Sequence, residues 1–291
     1  MGLENVGVQI NPVEGMRVMK QKVERVFIFG MDGAGIFVKD TPTPYLDQLA
    51  SRGAITYDAQ AVMPSISAQC WGSMLHGVPA EKHGLTNNIA GQEKYPLNSP
   101  YPSIFKITRE AFPDAKMASF TTWRPINNGI IEDGLDIHKD SSPDADNTEA
   151  ICTYIDQNPD VKLLFVQLDD PDISGHKHGF GAHSEGYLEA ITRSDRYIGM
   201  MLEALERNYL VEKSLIILVT DHGGGGVRTH DHGSDHPHDM TVFWAVSGPG
   251  IEAGTVLTEL SIMDTAAVVA HALGLEAPVT WEGKVPQGLF K

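Results

Sequence analysis

Four places in the chain carry side chains that could hold divalent cations against an oxygen nucleophile. The densest is Thr220-Asp221-His222-Gly223, followed closely by His230, Asp231, His232, Asp235, His236, His238 and Asp239. An adjacent carboxylate and imidazole can reach one ion from a single backbone turn, and Gly224 to Gly226 behind them let other groups approach. Asp172 and His176 are four apart, a spacing that one helical turn or a compact loop brings to a common ion. Asp32 lies between Gly30 and Gly33, and Ser67 ends the segment Pro64-Ser65-Ile66-Ser67. Each has an ordinary reading when taken alone: a turn at Asp-Gly, a helix-capping serine, a solvated acidic loop. Together with one histidine from the later loop they supply three carboxylates, three imidazoles and a hydroxyl. That set fills two four-coordinate sites and leaves room for a substrate oxygen. Oxygen and nitrogen donors without a thiolate suit Zn²⁺, with Mn²⁺ as the alternative.

The elements that must position these residues are legible from apolar runs. Residues 26–29, 54–62, 161–168 and 215–219 read as strands, and the candidate residues follow their C-terminal ends. In an open, mostly parallel α/β sheet with helices on both faces, those ends share one edge. Residues nearly 200 positions apart can therefore converge there. Ser67 opens a helix over 68–75, where backbone N–H groups favour an anion. Further helices are expected from Pro44 to about Gly53 and over 103–112, 147–157, 187–208 and 266–273, with strands at 115–120 and 240–246. The segment 83–88 reads as a loop rich in side-chain donors, and 126–146 as a polar stretch wrapping the surface. Cys70 is expected in the core.

Composition narrows the class. The chain has 291 residues, and 38 acidic against 22 basic side chains give a formal charge of −16. Such a surface excludes nucleic acid as a bulk partner, because phosphate backbones need a basic face. Two cysteines, Cys70 and Cys152, rule out a disulfide framework and fit a reducing compartment. The first 22 residues lack a continuous apolar core of the signal-peptide kind, and no run reaches the roughly 20 apolar residues of a membrane span. The expectation is a cytoplasmic protein without a membrane partner: an arm over 1–24, then one catalytic domain over 25–291. Nothing in the pattern sets an oligomeric state.

With these residues in place, the chain resembles the alkaline phosphatase superfamily, closest to its type I phosphodiesterase/nucleotide pyrophosphatase branch. Pro64-Ser65-Ile66-Ser67 resembles the nucleophile motif; Gly77, Pro79 and His83-Gly84 follow its downstream pattern. Pro171-Asp172 with Gly175-His176, and Thr220-Asp221-His222-Gly223, resemble its two metal-ligand motifs. His232-Gly233, eight residues before Met240, fits the last histidine ligand, with His236 and His238 as competitors. The resemblance implies Asp172, His176 and His232 on one metal, Asp32, Asp221 and His222 on the other, and Ser67 bridging towards the second. It implies that Ser67 attacks phosphorus, that Asn88 contacts a phosphoryl oxygen, and that a phosphoserine is hydrolysed from the opposite side. A small-molecule phosphate ester is the implied substrate. Ala68-Gln69-Cys70 stands where nucleotide pyrophosphatases commonly carry Phe-Pro-Asn, whose aromatic helps hold a base. There is no Ser/Cys-x-Pro-x-Arg sulfatase motif. A phosphomonoesterase or phosphonate hydrolase is the alternative. A non-catalytic metal store is the remote one, since it would need only the 222–239 cluster.

Overall fold

β1 (Arg25–Met31) is buried along its whole length, as a strand covered on both faces must be. Its alternate side chains feed two cores: Val26 and Ile28 point to one, Phe27, Phe29 and Met31 to the other. The fold is a computed structural model that describes residues 22–291. The arm expected over 1–24 therefore lies, up to residue 21, outside the described residues.

The chain continues through α1 (Pro44–Ser51), β2 (Ala54–Gln60), α2 (Ser67–His76), α3 (Ala80–His83), α4 (Asn87–Gln92), α5 (Ile104–Ala111) and β3 (Met117–Thr121). Then come β4 (His138–Asp140), α6 (Asp144–Gln157), β5 (Leu163–Leu168), α7 (Asp170–His178) and α8 (Glu185–Arg207). β6 (Ser214–Val219), α9 (Pro237–Met240), β7 (Thr241–Ser247) and α10 (Asp264–Ala272) complete it. The seven strands form one sheet in the order β2-β7-β6-β1-β5-β3-β4. α2, α5 and α10 bury their apolar sides on one face, and α1, α6 and α8 on the other. The α/β class with a mostly parallel sheet is thus the observed one.

Pairing is parallel from β6 through β1, β5 and β3 to β4, and antiparallel where β7 meets β6 and β2. The antiparallel turn has a local cause. After β6 the chain spends residues 220–240 at the sheet's C-terminal edge instead of crossing back, so β7 must run the other way.

Two segments depart from the sequence reading. Residues 83–88 are not a plain loop: His83 ends α3 and is buried, and α4 begins at Asn87. Residues 126–146 do not merely wrap the surface. They contain a π-helical turn, Ile126–Ile130, and the edge strand β4, with Asn127 and Glu132 buried. Partners stabilise these polar groups inside: Asn127 Nδ2 donates to the Asp140 carbonyl at 2.7 Å, and Glu132 accepts the Ser103 N–H at 2.9 Å. α6 begins three residues earlier than expected because Asp144 is itself used. Its carboxylate accepts the N–H groups of Asp169 and Asp170, both at 2.9 Å, and so fixes the start of α7.

Candidate metal and phosphoryl-transfer site

The site is laid out by strand register. Gly30 pairs with Val219 on one side of β1 and Met31 with Leu168 on the other. Asp32, Asp169 and Thr220 consequently leave the sheet at one level, and α7 carries Asp172 and His176 on from there. Thr220 fixes the turn: its Oγ1 accepts from Ala34 N–H at 3.1 Å and Gly35 N–H at 3.3 Å, and donates to the His222 carbonyl at 3.1 Å.

Six residues from these ends converge with Ser67. Nε2 of His222 lies 3.5 Å from Asp32 Oδ1, 3.3 Å from Asp221 Oδ2 and 3.3 Å from Ser67 Oγ. Nε2 of His176 lies 3.3 Å from Asp172 Oδ2, and Nε2 of His232 lies 3.6 Å from Asp172 Oδ1. His222 joins the two groups, its ring stacked on His232 at 3.9 Å between centroids. Ligands about 2.1 Å from a tetrahedral zinc stand about 3.4 Å from one another, so these separations match the spacing of a cation's donors.

Two further observations test the fit. Asp32 Oδ1, Asp172 Oδ1 and Asp221 Oδ2 are buried without a hydrogen-bond partner, and all three face the cluster. Buried carboxylate oxygens are seldom left bare unless a cation completes them. The three imidazoles are also oriented alike. Nδ1 of His176 meets the His230 carbonyl at 2.8 Å, Nδ1 of His222 the Gly223 carbonyl at 2.9 Å, and Nδ1 of His232 the Ser65 carbonyl at 2.8 Å. A carbonyl accepts only from N–H, which assigns a proton to Nδ1 and turns Nε2 inwards on each ring. The residues present suit divalent cations.

Electrostatics points the same way. Burial, reinforced by Asp172, pushes Asp32 up to about 8; burial and then Asp32 hold Asp221 well above the carboxylate range. Asp172 is buried too, but His176, His222 and His232 together hold it below its ordinary value. Its hydrogen bond raises His176 to about 9. Burial, then His222, lowers His232 to about 4, and burial lowers His222 as well. Four carboxylates, Asp32, Asp169, Asp172 and Asp221, crowd this space, and among the described residues none of them pairs with a lysine or arginine, so a cation there would offset their charge.

The structure does not gather every candidate. His236 Nδ1 accepts the His238 N–H at 3.1 Å, and the His238 ring packs edge-on to Phe37 at 5.4 Å; neither joins the cluster. Asn88 lies on the exposed side of α4, its Oδ1 accepting from Gln92 Nε2 at 2.9 Å. The neighbouring Asn87 instead reaches α2, its Oδ1 accepting the Ala68 N–H at 2.9 Å.

Sequence reasoning missed the supports of Asp32. Its Oδ2 accepts from Trp71 Nε1 at 2.7 Å and from Gln167 Nε2 at 2.9 Å, which aims Oδ1 at His222. Trp71 stands over β1 only because residue 30 is glycine: a Cβ there would sit 2.4 Å from the indole. Gln167 was findable, being the one polar residue in the apolar strand Leu163–Leu168. Asp169, which shares Gln167 Nε2 at 2.8 Å, was hidden by its neighbours Asp170 and Asp172. We expect Trp71→Phe, which removes only the N–H donor, to weaken metal affinity about 10–100-fold, as loss of such outer contacts does. Competition against a chromogenic chelator measures it; unchanged affinity would remove Trp71 from this role.

The fold and its donor set define an alkaline phosphatase-like α/β architecture, with candidate metal-binding Asp/His clusters at the C-terminal strand ends. A family profile described as type I phosphodiesterase/nucleotide pyrophosphatase matches residues 26–274, and the chain belongs to that family. The rat ectonucleotide pyrophosphatase/phosphodiesterase family member 7 is 22% identical over 232 residues, 72% of this chain and 52% of that protein. The venom phosphodiesterase of Naja atra is 23% identical over 269 residues, 84% of this chain and 32% of that protein. The chain thus spans about half or less of these two relatives' length. Among solved structures, murine ectonucleotide pyrophosphatase/phosphodiesterase 5 in complex with AMP superposes with a TM-score of 0.73 at 15% identity, covering 94% of this chain and 100% of that one. A 2-O glycosaminoglycan sulfatase superposes at 0.72 with 14% identity, covering 90% and 73%.

Proposed function

We propose that this chain is a metal-dependent phosphoric ester hydrolase that cleaves small phosphodiesters or pyrophosphates through a phosphoserine on Ser67. The observation that carries this reading is the position of Ser67. Its hydroxyl begins α2, where the helix N-terminus favours an anion, and stands 3.3 Å from Nε2 of His222 among bare carboxylate oxygens. Asp172, His176 and His232 would hold one divalent ion, and Asp32, Asp221 and His222 with Ser67 the second; zinc is favoured over manganese. Bound there, such ions would acidify the serine hydroxyl and neutralise charge on the phosphoryl oxygens.

The chain's own residues define the rest. Ser67 Oγ attacks phosphorus in line with the departing oxygen, forming the Oγ–P bond as the P–O bond to the leaving group breaks. The Ser67 N–H donates a hydrogen bond to a non-bridging oxygen; Asn88, held by Gln92 on the exposed side of α4, would have to turn inwards to join it. Water then cleaves the Oγ–P bond from the opposite side, returning the serine. Ala68 follows the nucleophile and offers little surface for a base to stack on, so nucleotides should not be preferred over other diesters. The murine relative's complex with AMP supports a site of phosphate-ester size.

A diester carries one charge on the transferred group, which two ions and the Ser67 N–H would balance; a monoester dianion wants a further cation. Arg124, exposed on the turn after β3, makes no ion pair among the described residues and is the arginine to consider for that role. The expected result is a kcat/KM for bis-p-nitrophenyl phosphate above that for p-nitrophenyl phosphate. A ratio well below one assigns a phosphomonoesterase, and loss of monoester activity alone in Arg124→Ala would then identify the clamp. We place the protein in the cytoplasm on the strength of its two unpaired cysteines. Among the described residues, no helix is long and apolar enough to cross a membrane.

A further inference from the structure

We propose that Asn87, to which the family resemblance gives no role, is the positioning residue that sets the nucleophile helix in place; this rests on the reading of Ser67 as nucleophile. α2 lacks a cap of its own. The residue before its first turn is Ile66, which offers no side-chain acceptor, although the helix begins with the residue that must be held most accurately. Asn87 supplies the acceptor from 19 positions away: its Oδ1 takes the Ala68 N–H at 2.9 Å. Asn87 is therefore an external cap on the amide immediately after the nucleophile.

The cap is effective because its own segment is fixed. The His83 ring lies between α2 and the start of α4. Its Nδ1 accepts the Leu85 N–H at 3.0 Å, which puts the ring proton on Nε2, 3.1 Å from Ser73 Oγ and 3.2 Å from the Gln69 carbonyl. Burial lowers His83 to about 3, so the ring stays neutral and keeps this donor pattern across the working range. Gly72 makes room for it, since a Cβ there would lie 2.8 Å from the ring. Residues 83–87 are thus clasped to α2 at its middle by His83 and at its N-terminus by Asn87.

One consequence concerns catalysis. With the Ala68 N–H occupied, the Ser67 N–H, which has no acceptor among the described residues, is the amide left to face a phosphoryl oxygen. Asn87 acts on rate by fixing the direction of that N–H and of Oγ, not by touching substrate.

The experiment compares Asn87→Ala, which removes the acceptor, with Asn87→Asp, which keeps an oxygen of the same reach. We expect Asn87→Ala to lower kcat on bis-p-nitrophenyl phosphate about tenfold, the scale of a small misplacement of reacting groups, with KM within about twofold. Zinc stoichiometry should be unchanged, and Asn87→Asp should restore most of the lost kcat. Hydrogen exchange at residues 67–70 should quicken in Asn87→Ala and return in Asn87→Asp. Wild-type kcat in Asn87→Ala overturns the proposal, as does an Asn87→Asp protein as slow as the alanine variant. Unchanged exchange overturns it too. If the wild-type protein hydrolyses no ester, the proposed function fails, and the exchange measurement alone decides whether Asn87 caps α2.

Discussion

Ser67→Ala should lower turnover of any phosphate ester by at least about three orders of magnitude, the usual cost of deleting a nucleophile that forms a covalent intermediate. Metal content should stay close to that of the wild type. Ser67 adds one oxygen beside His222, whereas Asp32, Asp221 and His222 supply the carboxylate and imidazole donors of that group. Acid quenching during turnover should trap labelled phosphate on the wild type and none on the variant. Ser65 is the control. Its Oγ donates to the Ser234 carbonyl at 2.8 Å, and what it gives the site is its backbone carbonyl on His232, which alanine retains. Ser65→Ala should therefore cost about 1 kcal/mol of stability, the worth of one hydrogen bond, and little activity. An inactive Ser65→Ala beside an active Ser67→Ala would overthrow the assignment.

Removing metal should be felt by the whole protein. Asp32 and Asp221 have raised pKa values because burial opposes their ionisation, reinforced by Asp172 at Asp32 and by Asp32 at Asp221. A cation that binds only the folded state stabilises it by about 4 kcal/mol at a thousandfold excess over its Kd. For a chain of this size each kcal/mol moves Tm by about 2–4 °C, so chelation should lower Tm by on the order of 10 °C. Thermal scans with a strong chelator, and after adding back zinc or manganese, measure this. A Tm indifferent to both would mean that the carboxylates are neutralised by protons and the site holds no ion. A loosely filled metal store would instead take up several ions with only a small gain in Tm.

The parts of this site that were legible in the sequence share a physical property: each lies directly behind an apolar run. Asp32 follows β1, Asp221 and His222 follow β6, and Asp172 follows β5, so strand recognition placed all of them on one edge. Ser67 was legible because a strand, a proline-containing turn and a helix follow in order. Choosing His232 over His236 and His238 needed the resemblance, since nothing in a polar segment without periodicity says which ring turns inwards. Trp71 and Asn87 were illegible for another reason. Trp71 is indistinguishable by pattern from any core tryptophan, and its N–H finds Asp32 only through the packing of α2 across β1. Asn87 reads as a loop residue until the fold sets it against Ala68. The antiparallel course of β7 escaped for the same reason: an apolar run gives a strand but not its direction.

The parallel ladder of β5, β1 and β6 also acts as a ruler. Asp172 and His176 hang from the end of β5, joined by His232 from the segment after β6, and the other donors are shared between the ends of β1 and β6. Neighbouring strands stand about 4.8 Å apart, close to the roughly 4 Å between the ions of two-metal hydrolases. The separation of the strand ends that carry these donors is set by backbone hydrogen bonds among Val26–Met31 and their partners. Exchanging one divalent ion for another, or rebuilding the loops above the strand ends, would alter acidity and affinity. Neither change would alter the spacing of the strand ends from which the donors hang.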